Sequence, residues 1–389
     1  MNRVSGYLLV AMAVAMAACG GGGSEVEPTA SLVDSVCAGT LDREPDLSSA
    51  DRIAFRGPAG IQTVDPDGSN PAVLGPGAFP LWSPDGGRII FVNDEGIRVM
   101  NSDGGDVATV VEGTEERPIA LAWSPNGRCL ALASFSFVGE NNGESFIISL
   151  DGTDRVSLGD PDRFSFSSFT ISGSLPDPWS ADGSRVGYLS GRSTLEFGIG
   201  GPVDPEGVEI AVIDADGTDR RVLTSDGGFK MFAGWAAGTD QIAFIYSDFE
   251  TLASETGVAG IYVMAADGTD RKRIADWPNE VLGGLPVWSP DGRRLAFWSE
   301  IDSVSSLFVI DADGSNLTAV TSGGQCDGRL GVSWAPDGQR LAFVRSCDAP
   351  YFLADQDTSL WAVNVDGSGL TELAEGVEEG LEPDWSPVR

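Results

Sequence analysis

The sequence predicts an all-β chain folded as a seven-bladed β-propeller with four-stranded antiparallel blades. Three observations predict it. A phrase built on Trp-Ser-Pro-Asp-Gly recurs at Trp82, Trp123, Trp179, Trp235, Trp288, Trp334 and Trp385. A second phrase, close to Asp-Ala-Asp-Gly-Thr-Asp, alternates with it at Asp67-Gly68, Asp103-Gly104, Asp151-Gly152, Asp216-Gly217, Asp267-Gly268, Asp313-Gly314 and Asp366-Gly367. The first and last copies are each incomplete, and one supplies what the other lacks. Self-similarity at such a period marks an architecture whose units bury their apolar faces against their neighbours.

In chain order, the N-terminus comes first. Arg3 provides a positive start, and Tyr7 to Ala18 is an apolar run of about a dozen residues, too short to cross a bilayer. It reads as a secretory signal. Met16-Ala17-Ala18-Cys19 resembles a bacterial lipobox. The resemblance implies removal of residues 1–18 and lipidation of Cys19, with the mature protein held at the cell envelope, on the outer membrane facing the periplasm or at the cell surface. Gly20 in place of aspartate after the cysteine lacks the inner-membrane retention signal. Gly20 to Ser24 is a flexible tether, so residues 19–50 are expected to link the anchor to a propeller over 51–389.

The opening copy holds three strands: Ile53 to Phe55, Ile61 to Val64 and Ala72 to Leu74. It lacks the Trp strand, which the C-terminus supplies at Leu381 to Pro387. One blade is therefore expected to join both termini and remove the open sheet edges. A complete unit reads as Leu285 to Trp288, a turn at Ser289-Pro290-Asp291-Gly292, then Leu295 to Trp298, Leu307 to Ile310, a turn at Asp311-Ala312-Asp313-Gly314, and Leu317 to Thr321. Proline presets φ and glycine supplies positive φ in such turns. Each Trp ends the first strand and is expected to pack between blades. The copy at Trp235-Ala236-Ala237-Gly238 is the weakest, and its omission would leave six blades.

Composition narrows function. The chain carries 24 Lys plus Arg against 58 Asp plus Glu, a net charge of -34, with Lys230 and Lys272 its two lysines. Such a field repels phosphate backbones and excludes nucleic acid as an expected partner. It reads as solubility or adaptation to high salt. The chain has no histidine, which removes the usual general base and the commonest metal ligand. In an exported chain Cys37, Cys129, Cys326 and Cys347 are free to form disulfides. Cys326 and Cys347 flank a hairpin turning at Pro336-Asp337-Gly338 and are expected to pair; Cys37 with Cys129 follows by elimination only.

The phrases WSPDGRRLAF at Trp288, WAPDGQRLAF at Trp334 and IYVMAADGTD at Ile261 resemble the TolB-type, WD40-like propeller repeat. The resemblance covers almost everything after residue 50 and implies the fold. It does not imply TolB itself, which has six blades and a separate N-terminal α/β domain. The same repeat occurs in prolyl-oligopeptidase-like enzymes, but their chemistry needs a histidine and a hydrolase domain that this chain lacks.

Both short turn classes fall on one face, so the unequal connections gather on the other, where binding is expected. They carry Phe135, Phe137, Glu140, Glu144, Phe164, Phe166, Phe197, Phe249, Tyr351 and Phe352. Aromatics with acids suit an envelope protein or a glycan. Asp214, Asp216 and Asp219 have the alternating spacing of a calcium loop, but the longer ligand series ending in glutamate is missing, and aspartate favours such turns unaided. No cofactor and no catalytic residue is assigned. The expectation is a monomeric, envelope-anchored binding scaffold that meets the membrane through its anchor alone. A carbohydrate-active enzyme using funnel carboxylates and a calcium- or salt-adapted structural module are the alternatives.

Overall fold

The computed structural model describes residues 51–113, 117–135, 145–158, 164–165, 177–190, 209–247, 259–277, 285–301, 304–321, 331–346, 358–377 and 383–387. Seven four-stranded antiparallel sheets follow one another along the chain. Blade 1 is the closing blade: β28 (Asp384–Trp385) pairs with β1 (Ile53–Gly57), followed by β2 (Gly60–Val64) and β3 (Ala72–Gly75). Blades 2, 3 and 4 open with β4 (Ala78–Trp82), β8 (Arg117–Trp123) and β12 (Phe164–Ser165). Blades 5, 6 and 7 open with β16 (Phe229–Trp235), β20 (Val287–Trp288) and β24 (Val332–Trp334). The ring has seven blades, and the weak copy at Trp235 forms a full one.

The core is divided among the blade interfaces. Seven apolar clusters each join two neighbouring blades, and each contains one Trp of the repeat. Strand alternation makes this possible. In β9 (Cys129–Phe135), Leu130 and Leu132 face blade 2 while Cys129 and Ala131 face blade 4. Each blade thus buries both faces, which is why its middle strands read as near-continuous apolar runs.

The turns explain the conserved wording of the repeat. In the Trp turn, Ser83 Oγ donates to Asp85 Oδ1 at 2.6 Å and accepts the Arg88 N–H at 3.0 Å. Ser124, Ser180 and Ser289 make the same pair of bonds. In the second turn, Asp216 Oδ1 accepts both the N–H and the hydroxyl of Thr218, at 2.9 and 2.6 Å. Gly217 has φ 83° and Asp219 φ 48°. The left-handed region favours Gly, Asn and Asp, so the string Asp-Gly-Thr-Asp is a backbone requirement.

Candidate functional site: the axial channel

The inner strands surround the axis and leave their unpaired edges facing it. Three of those edges are tied to the next blade through the Trp backbone N–H. Trp82 donates to Asp384 Oδ2 at 2.6 Å, Trp235 to the Asp177 carbonyl at 3.2 Å and Trp385 to Ser333 Oγ at 3.1 Å. Indole nitrogens add further links. Trp123, Trp288 and Trp334 each donate to the carbonyl just before the Trp of the preceding blade, on Leu81, Gly234 and Val287, at 3.0–3.1 Å. Trp385 donates instead to Asp51 Oδ1 at 2.8 Å. The indole N–H groups of Trp82, Trp179 and Trp235 are buried without a partner among the described residues.

Where these strands end, the channel opens into a cavity of about 580 Å³ lined by all seven tryptophans and by Pro84, Pro125 and Pro290 of their turns. It therefore lies toward the short-turn face. Its wall is largely apolar, and Asp177 and Asp384 are the titratable groups among its described lining residues. They sit on blades 4 and 1, three blades apart in a ring of seven, and so on opposite walls.

Each carboxylate accepts one backbone N–H. Asp177 Oδ1 takes that of Trp179 at 3.0 Å, and Asp384 Oδ2 takes that of Trp82. The second oxygen of each has no partner among the described residues, and neither forms an ion pair there. Burial pushes the Asp177 carboxyl up to about 6 and the Asp384 carboxyl up to about 7, against the opposing pull of those N–H bonds. Asp384 is half-buried, whereas Asp177 is exposed and lines the lumen.

The sequence pointed elsewhere for function. Of the long-connection residues, Phe135 and Phe164 are on strands rather than in loops. Phe135 ends β9 opposite Arg117, because the seven-residue β8 gives β9 a partner along its whole length. Phe164 lies in β12 opposite Ser190, in the first part of blade 4's inner edge. Phe137, Glu140, Glu144, Phe166, Phe197, Phe249, Tyr351 and Phe352 lie outside the described residues, as do Cys19, Cys37, Cys326 and Cys347. Cys129 is buried and disulfide-bonded. Asp214, Asp216 and Asp219 do come together: burial and then the charges of Asp219 and Asp216 raise the Asp214 carboxyl. However, Asp216 is engaged by Thr218, and Asp219 pairs with Arg221 at 3.5 Å. Among the described residues no group of three or more Cys, Asp or Glu is arranged to hold a metal ion.

Asp177 and Asp384 were not singled out by the sequence reading. One signal was available: the residue before each Trp is Leu81, Ala122, Pro178, Gly234, Val287, Ser333 or Asp384, and the last is the one charged member. In a chain with 58 acidic residues it does not stand out.

Residues 203–350 match the family described as TolB beta propeller domain. A 56-residue stretch is 45% identical to the Tol-Pal system protein TolB of Syntrophus aciditrophicus (strain SB), covering 14% of this chain and 12% of that protein. The match thus spans a small part of the relative's length. Among solved structures, an oligogalacturonate lyase in complex with manganese superposes with a TM-score of 0.56 at 12% identity, covering 85% of this chain and 86% of that one. The β-propeller domain of the Trilobed protease from Pyrococcus furiosus superposes with a TM-score of 0.55 at 14% identity, covering 81% and 90%. At these identities the structural likeness is one of fold. Residues 203–350 thus resemble the TolB beta propeller domain, and the chain as a whole folds as a seven-bladed β-propeller.

Proposed function

We propose that the protein is a lipid-anchored envelope scaffold that binds a partner molecule at the axial channel. One observation carries this reading: the cavity of about 580 Å³, held open by seven buried tryptophans in a rigid ring. Ligand sites are concave, mostly apolar and largely preformed, with a few convergent polar groups, and this cavity fits that description. The anchor rests on the lipobox resemblance at Cys19 and the Gly20 to Ser24 tether. The long connections on the opposite face remain a proposed second contact for an envelope protein or a glycan.

A fragment and peptide library screened by thermal shift tests the scaffold. A binder that raises Tm, and whose effect is lost when Val287→Trp narrows the lumen, supports it. A library without a single binder removes it. Cys19→Ser tests the anchor: the variant should move from the membrane fraction to the soluble fraction, and an unchanged distribution would discard lipidation.

A second reading, a carbohydrate-active enzyme, is favoured by one observation. Two carboxylates with raised pKa values line one lumen. Glycosidases divide acid and base work between two such groups. Turnover in a glycan panel that disappears in both Asp177→Asn and Asp384→Asn would establish it.

A further inference from the structure

Ser333 and Asp384 occupy equivalent positions, each just before its blade's Trp. Each accepts the Trp backbone N–H of the following blade. Blade 7 thus closes its inner edge with a neutral hydroxyl. Blade 1 does so with a carboxylate, which costs far more to enclose than a hydroxyl when no cation faces it. The edge bond alone does not require that charge. It also uses one carboxylate oxygen and leaves the other unpaired. Asp177, exposed on the opposite wall, differs: its backbone carbonyl takes the edge N–H of Trp235, and its carboxylate receives the Trp179 N–H of its own blade through one oxygen.

Among the described lining residues no cation answers these charges. The cations packed against the same elements are engaged outside the lumen. Arg340 reaches Asp51 at 3.5 Å behind Trp385, Arg52 pairs with Asp65 at 3.3 Å, and Arg185 pairs with Asp240 at 2.7 Å beside Trp235. Lys230, on β16, is held by Glu209 and Asp226 at 3.0 Å each. Around the two acids the wall is made by Leu121, Ala233, Pro286 and Val332.

We propose that Asp177 and Asp384 form a receptor for an amphipathic organic cation, an ammonium group carried on an apolar chain, within the axial channel. The proposal rests on the scaffold reading and names its ligand class. The apolar wall takes the chain, and the unpaired carboxylate oxygens take the charge. An inorganic divalent ion fits less well. Calcium draws about six to eight oxygens to itself at about 2.3–2.6 Å, whereas these carboxylates stand on opposite walls. The raised pKa values add a pH dependence: the receptor is charged, and binds, above about pH 7, and it is neutral below about pH 5.

The test is calorimetric titration of the full chain with hexylamine, with the isosteric hexanol and with calcium chloride alone. Hexylamine is expected to bind at least about tenfold tighter than hexanol at about pH 8, and to lose that advantage at about pH 5. Asp384→Asn and Asp177→Asn should each remove it, while unchanged circular dichroism shows the ring intact. Asparagine keeps a side-chain carbonyl to accept the Trp82 N–H at 384 and the Trp179 N–H at 177. Equal binding of amine and alcohol overturns the receptor but leaves the scaffold standing. Displacement of the amine by calcium overturns it in favour of an ion site. No binding of the amine also overturns it, and the separate library screen then decides whether the scaffold falls too.

Discussion

At the scale of single residues, aspartate does two opposite jobs in this protein. In the second turn of the blades it is exposed, or half-buried at Asp216, and accepts local bonds. The hydroxyl and N–H of Ser69, Thr269, Ser315 and Ser368 hold Asp67, Asp267, Asp313 and Asp366 below the usual carboxylate range. In the channel, burial raises Asp177 and Asp384. The two groups act on stability with opposite sign. A lowered carboxyl stabilises the fold above its unfolded pKa, and that contribution is lost as pH falls through the folded value. A raised carboxyl binds its proton more tightly in the fold, so stability falls as pH rises from about 4 to about 7. The Tm of the chain is therefore expected to peak between about pH 4 and 6, as read by scanning calorimetry across that range. Asp384→Asn should lift the alkaline limb by about 1 kcal/mol, or about 2 °C, and leave Tm at pH 4 unchanged. A lower Tm at pH 8 would show that the carboxylate stabilises the ring by some contact other than the edge bond.

At the scale of the element, the repeat is legible because its turns demand particular backbones. Gly292 and Gly238 lie in consecutive Trp turns, Gly292 in the place that Thr239 takes in the other and Gly238 in the place of Asp291, with φ 65° and 67°. A Cβ at Gly292 would lie 2.1 Å from the Ala237 carbonyl oxygen, whereas one at Gly238 would meet nothing within 4 Å. Gly238→Ala should therefore cost about 1 kcal/mol, the strain of alanine at positive φ. Gly292→Ala should cost about 2–3 kcal/mol, because blade 6 must also back away from blade 5. Urea unfolding of the two variants measures the difference. The weak copy at Trp235 shows which words of the repeat are dispensable. Ala236 and Ala237 replace Ser-Pro and the serine bonds are gone, yet Trp235 is buried and blade 5 is complete. The apolar interface outweighs the turn bonds, which contribute about 1 kcal/mol each. Blade 4 was less readable. Its inner edge is assembled from Phe164–Ser165 and, separately in the chain, Trp179 opposite Val186. A strand broken by an insertion has no continuous alternation to detect.

At the scale of the whole molecule, ring closure rests on two residues of β28 against β1. Ile53 pairs with Trp385 and Ala54 with Asp384. So short a ladder is reinforced by side chains. Arg52 N–H donates to Ser386 Oγ at 2.7 Å, and the Trp385 indole reaches Asp51. Trp385→Ala should cost about 3–5 kcal/mol, as for a large core truncation. It should also speed proteolysis of the C-terminal strand more than Trp334→Ala does, since an opened ring exposes two sheet edges. Equal proteolysis in the two variants would show that closure is carried by the blade interface and not by the terminal strand.

The sequence alone determined the blade count, the closure and the face on which the short turns lie. These follow from local chemistry repeated seven times: turn residues with prescribed φ, and strands apolar on both faces. Only the tertiary structure decided where the candidate site lies. Asp177 and Asp384 are 207 positions apart in the chain, by subtraction of their numbers. They face one lumen because a ring of seven places blades 1 and 4 on opposite walls. Their shared lumen comes from the closure of the ring and not from nearness in sequence, so no single stretch of the chain brings the two together.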